Sequence, residues 1–160
     1  MLMGTPRIYR FAHRNPAIHI RATSYTHDAL VLGNFRRFVA INGALEVDLT
    51  GQVNAETARG RHIGLVGGQM DFIRAANRAA EGRSIIALQS TDRERTHSRI
   101  VARLADGIVT TPRAEADLVV TEHGIAELRA RTLAERARAL VAVADPAFRA
   151  ELEQASGRLV

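Results

Sequence analysis

VAINGALEVDLTG (residues 39–51) followed by GLVGGQMDFIRAANRAAEG (residues 64–82) is the stretch that decides the fold. In the first part Val39, Ile41, Ala44, Leu45, Val47 and Leu49 form a strand pattern that is interrupted at Asn42-Gly43. Thr50-Gly51 reads as a hairpin turn with a return strand over 52–54. The second part opens on Gly64, Gly67 and Gly68, continues as a helix over 70–80 and closes at Gly82. A glycine loop entering a helix lets backbone amides approach an anionic or carbonyl ligand. The glycine spacing is not the dinucleotide fingerprint, and no lysine is present for a phosphate-cradling loop.

Outward from this pair the alternation continues. SIIAL (84–88) reads as a fully buried strand, 91–96 as a charged loop, and 98–101, 107–110 and 117–121 as further strands. Glu122-His123-Gly124 then leads into a predicted helix over 125–129. Thr132 with Glu135 forms a capping box for a helix ending near Asp145-Pro146, and 148–153 gives a last helical turn or two. Upstream, residues 5–14 have helical spacing stopped by Asn15-Pro16, 17–23 alternates as a strand, and residues 26–28 cap a short helix over 29–32. The predicted fold class is α/β, an open, mostly parallel sheet with flanking helices. An N-terminal arm is expected over 1–35 and the α/β domain over 36–160.

Composition narrows the function. The 160 residues, 46% hydrophobic, suffice for one continuous core. The absence of cysteine excludes disulfides, thiolate catalysis and Cys-ligated metals. All 22 basic residues are arginine, which removes lysine nucleophiles and Schiff bases. They are spread from Arg7 to Arg158 among acidic residues, and tryptophan is absent. The net charge of +5 therefore reads as a solvated surface, with no nucleic acid as partner. The six histidines lack metal-ligand spacing, so no metal site is expected. No apolar run has transmembrane length and charge precedes any signal-like run, which predicts a cytoplasmic protein without a membrane partner.

In open α/β sheets ligands gather beyond the carboxyl ends of the strands. Four places qualify: Asn42-Gly43, residues 64–69, residues 90–93 and residues 122–124. The glycines serve either a ligand or tight helix packing, and Asn42 is either a site carboxamide or a bulge residue bonding its own backbone. Glu122 is either a helix cap or a carboxylate facing the crevice. Arg93, Arg95 and Arg99 form a basic loop, either solvated or a phosphate contact. Ser90, Thr91 and Ser98 have no His and acid at a recognisable triad spacing.

Taken together, LMGTPRIYRFAHRNP (2–16), FVAINGALEVDLTGQVNAE (38–56), GLVGGQMDFIRAA (64–76), GRSIIALQST (82–91), SRIV (98–101) and VTTPRAEADLVVTEHGIAELRARTLAERARALVAVADPAFRAEL (109–152) resemble the C-terminal half of the acetyl-CoA hydrolase and CoA-transferase family. The resemblance implies the α/β CoA-transferase fold. It also implies transfer of CoA between an acyl-CoA and a small carboxylate, or hydrolysis of the acyl-CoA, with coenzyme A as substrate and no bound cofactor. In the family a glutamate carboxylate attacks the thioester, giving a mixed anhydride and then a glutamyl-CoA thioester. Loop amides stabilise the oxyanions. The resemblance assigns that loop to Gly64, Gly67 and Gly68, with Gly68 nearest the acyl or CoA site. Glu122 matches the acid of a TE-aromatic-G motif bordering the carboxylate site, Asn42 matches the AIN position, and Arg93 matches a loop that meets the CoA phosphates. Gln89 stands where the family has proline, and His123 replaces the aromatic. The family nucleophile belongs upstream of Met1, so no catalytic residue is expected within these residues. The expected partners are an N-terminal CoA-transferase half or a second copy of the chain. A non-catalytic CoA-binding or interaction module, or the remnant of a truncated gene, is the alternative reading.

Overall fold

The computed structural model of the chain describes residues 2–58, 60–105 and 108–158. Helices α1 (Pro6–Ala12), α2 (Thr23–Thr26) and α3 (Ala29–Gly33) come first, followed by strands β1 (Val39–Gly43), β2 (Glu46–Asp48), β3 (Val53–Asn54), β4 (Thr57–Ala58) and β5 (Arg61–His62). Helix α4 (Gln69–Arg78) leads into β6 (Arg83–Ala87), β7 (Ile100–Val101), β8 (Leu118–Thr121) and β9 (Gly124–Glu127). Helices α5 (Leu133–Ala142) and α6 (Pro146–Ser156) close the chain.

The central sheet has the order β1-β6-β8-β9, with β1, β6 and β8 parallel and β9 antiparallel to β8. A second sheet, β3-β2-β7, begins where the chain leaves β1 at Asn42-Gly43, so the predicted interruption is a crossing between sheets. Because β1, β6 and β8 are parallel, their carboxyl ends lie along one edge. Helix α4 returns the chain between β1 and β6, which brings its N-terminus and the glycine loop to that same end.

Cross-strand register divides the sheet into two faces. Ala40, Ile86, Val119 and Ala126 belong to the inner face, where Ile73 of α4, Leu140 and Val141 of α5, and Leu152 of α6 complete the core with Val47, Leu49, Val53 and Ile100 of the second sheet. The outer face carries Ile41, Ile85 and Leu118 in one row and Val120 and Ile125 in the next, all exposed or half-buried. Helix α5 opens on the predicted capping box: Thr132 Oγ accepts from Glu135 N at 3.3 Å and the Glu135 carboxylate accepts from Thr132 N at 2.8 Å. Among the described residues no helix is long and apolar enough to cross a membrane.

Three sequence expectations are corrected. Residues 125–129 do not form a helix: they begin as strand β9, with Ile125 64% exposed and Ala126 1% exposed, the period-two pattern of a half-buried strand. Five residues nucleate a helix poorly, and Gly124 at φ +140° lets the chain reverse and pair with β8. Residues 17–22 form no strand, since no neighbouring segment supplies a ladder, and Thr23 already starts α2. Gly107 of the expected strand over 107–110 lies outside the described residues. Residues 108 and 109 are irregular, while Val53 N donates to Thr111 O at 3.0 Å and Thr110 N to Val53 O at 2.8 Å, an isolated bridge.

Candidate functional site at the carboxyl ends of the parallel strands

Two neighbouring strand exits are tied together by one side-chain pair. Ser90, fully buried just beyond β6, donates its N–H to Glu122 Oε2 at 2.9 Å and its hydroxyl to Oε1 at 2.7 Å. Glu122 occupies the turn of the β8–β9 hairpin, where Thr121 pairs with Gly124, so it caps no helix. Its side chain remains 49% exposed. One side of the carboxylate is thus gripped by the protein, and the rest faces outward.

Burial acts to raise the Glu122 pKa, but the Ser90 hydroxyl, its own backbone N–H, the Ser90 N–H and the charge of His123 outweigh it. The carboxyl is held below its ordinary value and is ionised at neutral pH. Ser90 Oγ is therefore a committed donor. A folded-state pKa below the unfolded one gives stability that is present above the unfolded value and lost as pH falls through the folded one. Ser90→Ala is expected to move the Glu122 carboxyl titration, followed by NMR, upward toward an ordinary glutamate. An unmoved titration would show that the Ser90 hydroxyl does not hold the carboxylate.

A second set of contacts extends from the turn. His123 Nε2 lies 4.0 Å from Glu122 Oε1 and 3.8 Å from Asp145 Oδ2. Asp145 caps α6 through Ala147 N at 3.0 Å and accepts from Arg95 at 3.1 Å. The Ala147 N–H and the Arg95 guanidinium hold its carboxyl below the usual range. Arg95 sits in the left-handed region, φ +58°, in a loop closed by the Thr91–Ser98 bridge. The Asp92 carboxylate organises this loop by accepting from Thr96 N at 2.8 Å, His97 N at 3.1 Å and His97 Nδ1 at 2.9 Å. Burial pushes Asp92 up, but these bonds prevail and leave it well below the usual carboxylate range. Between the loop and the hairpin turn lies a cleft of about 360 Å³ lined by Gln89, Thr91, Asp92, Arg93, Arg95, Glu122 and His123.

The structure brings Arg93 and Glu122 into this one cleft. Asn42 and the glycines do not line it. Asn42 sits on the inner face in register with Ile86, and its Nδ2 is buried without a hydrogen-bond partner among the described residues. Each glycine has a local reason, of packing or of backbone conformation. A Cβ on Gly64 would strike the Ala55 carbonyl oxygen, and Gly64 N already donates to Glu56 O at 3.0 Å. Gly67 has φ +51°. Gly68, the N-cap of α4, has φ −92°, so its requirement is space: a Cβ there would meet the His27 imidazole.

The sequence reading missed Ser90 as the partner of Glu122, and it missed the chain from His123 through Asp145 to Arg95. The parallel pairing of β6 and β8 is the signal for the first, because it places the residues beyond both strands side by side. The second had none: an Asp-Pro helix start is satisfied locally, and nothing in it names Arg95.

The chain is thus an open α/β domain with a carboxylate fixed, and arginines gathered, at the carboxyl ends of its parallel strands. Residues 4–156 match the family described as acetyl-CoA hydrolase/transferase C-terminal domain, and the chain belongs to that family. It is 45% identical over 152 residues to the 4-hydroxybutyrate coenzyme A transferase of Clostridium kluyveri, covering 94% of this chain and 35% of the relative. It is 40% identical over 158 residues to the succinyl-CoA:cyclohexane-1-carboxylate CoA transferase of Geobacter metallireducens, covering 98% and 36%. Among solved structures, RipA from Yersinia pestis superposes with a TM-score of 0.86 at 39% identity, over 98% of this chain and 34% of that one. The 4-hydroxybutyrate CoA-transferase of Porphyromonas gingivalis gives 0.81 at 41% identity, over 98% and 36%. The chain thus spans about a third of the length of the relatives it matches.

Proposed function

We propose that this chain contributes the acceptor side of an acyl-CoA:carboxylate CoA-transferase or acyl-CoA hydrolase. The observation that carries the reading is the Ser90–Glu122 pair, which fixes an ionised carboxylate beside Arg93 and Arg95 at the edge where β1, β6 and β8 end. In this arrangement Glu122 borders the acyl and acceptor carboxylate and selects among them by charge and hydrogen bonding. Arg93 meets the CoA phosphates, with a guanidinium matched to their oxygens. The amides at Gly67 and Gly68 face a thioester oxygen from the N-terminus of α4, while that of Gly64 is engaged by Glu56. Asn42, whose Nδ2 is without a hydrogen-bond partner among the described residues, supplies a further donor. The attacking glutamate comes from the N-terminal portion of the enzyme, outside these residues.

Calorimetric titration of CoA and acetyl-CoA into the chain tests the binding part. Both ligands are expected to bind, and Arg93→Ala to weaken them by about tenfold, the loss of one charge-assisted contact. Absence of binding at millimolar ligand, or an Arg93→Ala variant that binds like the parent, would remove the assignment. CoA binding that never supports transfer in a full-length context would favour the non-catalytic module.

A further inference from the structure

The central sheet is covered on one face only. Helices α4 and α5 pack on the inner row of Ala40, Ile86, Val119 and Ala126. On the outer face, Val39, Ile41 and Ile125 are 52%, 68% and 64% exposed, and Ile85, Leu118 and Val120 between them are half-buried. Register joins these six into one surface: Ile41 pairs with Ile85 and Ile85 with Leu118, while Val120 pairs with Ile125. Charge appears on it only at Arg83 and Glu127, one on β6 and one on β9. A contiguous apolar surface of this kind marks an interface. Parallel strands occur almost only where both faces are buried, and the usual cover is helical.

We propose that this outer face seats the N-terminal portion that relatives carry ahead of the matched C-terminal domain, and that an apolar helical surface of that portion closes the sheet as its second layer. Two observations select this occupant. The relatives are about three times as long as the matched segment, so family members hold enough further chain to supply a layer. A second copy of this chain would instead offer sheet against sheet, the packing of antiparallel sandwiches and not of parallel α/β sheets. The proposal rests on the functional reading above only for the identity of the N-terminal portion. It assigns the apolar outer face of the sheet, whose Val120 and Ile125 adjoin the hairpin turn that carries Glu122.

The chain lacks cysteine, so a single introduced thiol reports its own surroundings. Ile41→Cys and Ile125→Cys are made in the 160-residue chain and in fusions that place the N-terminal portion of the C. kluyveri or G. metallireducens enzyme in front of it. Two donors guard against one poorly folded fusion. Maleimide labelling, read residue by residue by peptide mass mapping, is expected to be fast at both positions in the chain and at least tenfold slower in the fusions. Arg138→Cys, on the exposed side of α5, should label equally in both. Unchanged labelling at positions 41 and 125 in the fusions overturns the proposal. Protection already present in the chain alone and growing with its concentration also overturns it, in favour of a second copy. CoA transfer by the fusions is scored separately. Protection without transfer keeps the docking face and removes the proposed function, whereas transfer without protection does the reverse.

Discussion

The 160-residue chain alone is expected to release no CoA from acetyl-CoA above the uncatalysed rate, whereas its fusion to the N-terminal portion of a relative transfers CoA to acetate. Enzymatic acceleration is roughly a millionfold or more, so the contrast is one of presence against absence. The physical reason is convergence. A nucleophilic carboxylate, oxyanion donors and the acceptor must meet at one thioester carbon, and much of the rate comes from holding them there. Within the chain the best-placed carboxylate, Glu122, is ionised and gripped by two donors from Ser90, an arrangement that lowers its basicity. A clear turnover by the chain alone, lost in Glu122→Gln and accompanied by a trapped glutamyl-CoA adduct at Glu122, would make that residue the nucleophile and end the present assignment.

Gly82→Ala, at the entry to β6, should destabilise the chain by about 2–3 kcal/mol, the usual cost of forcing an extra carbon into packed structure. Its Cβ would collide with the Ala76 carbonyl oxygen and lie 2.8 Å from Ala79 Cβ. The turn cannot yield easily, because Glu81 N donates to Arg36 O at 2.9 Å and Arg83 N to Phe38 O at 3.0 Å on either side of it. These bonds set the β1–β6 register, so relief at Gly82 is transmitted to the central pair. For a chain of this size the loss corresponds to roughly 5–10 °C in Tm. Gly33→Ala is the control: nothing lies within 4 Å of its added carbon, and its thermal melt should match the parent. Equal melts for the two variants would show that the entry to β6 is looser than described.

The apolar run SIIAL was legible as a strand, but not its burial: in β6 Ser84 and Ile86 are buried while Ile85 and Ala87 are only half-buried, because one face of the sheet is covered and the other is not. Helix starts were legible wherever a side chain satisfies a local amide: Asp28 accepts from Leu30 N at 2.7 Å, as its place before a short helix suggests. What failed was the segment after Glu122. IAEL has a mixed apolar pattern too short to fix a period, and the hairpin that claims it depends on β8 offering a free ladder. The same dependence on a partner strand explains the error at 17–22. At the site, the position of Glu122 was readable as a strand exit, but its environment was not. The serine that holds it is 32 residues away in sequence and becomes a neighbour only through the parallel register of β6 and β8.

Strand β1 ends the central sheet, and its outer edge offers backbone donors and acceptors beside the side chains of Val39 and Ile41. Such an edge is a template for intermolecular ladder growth. The residues immediately before it, Arg36 and Arg37, both bind Glu81, with Arg37 Nε 2.6 Å from its carboxylate, and keep side chains that are 78% and 82% exposed. Two pinned positive charges at the strand's entrance oppose the approach of an identical edge, since any second copy would bring the same pair. The two arginines thus guard that edge, and replacing both with glutamine is expected to raise the chain's tendency to self-associate.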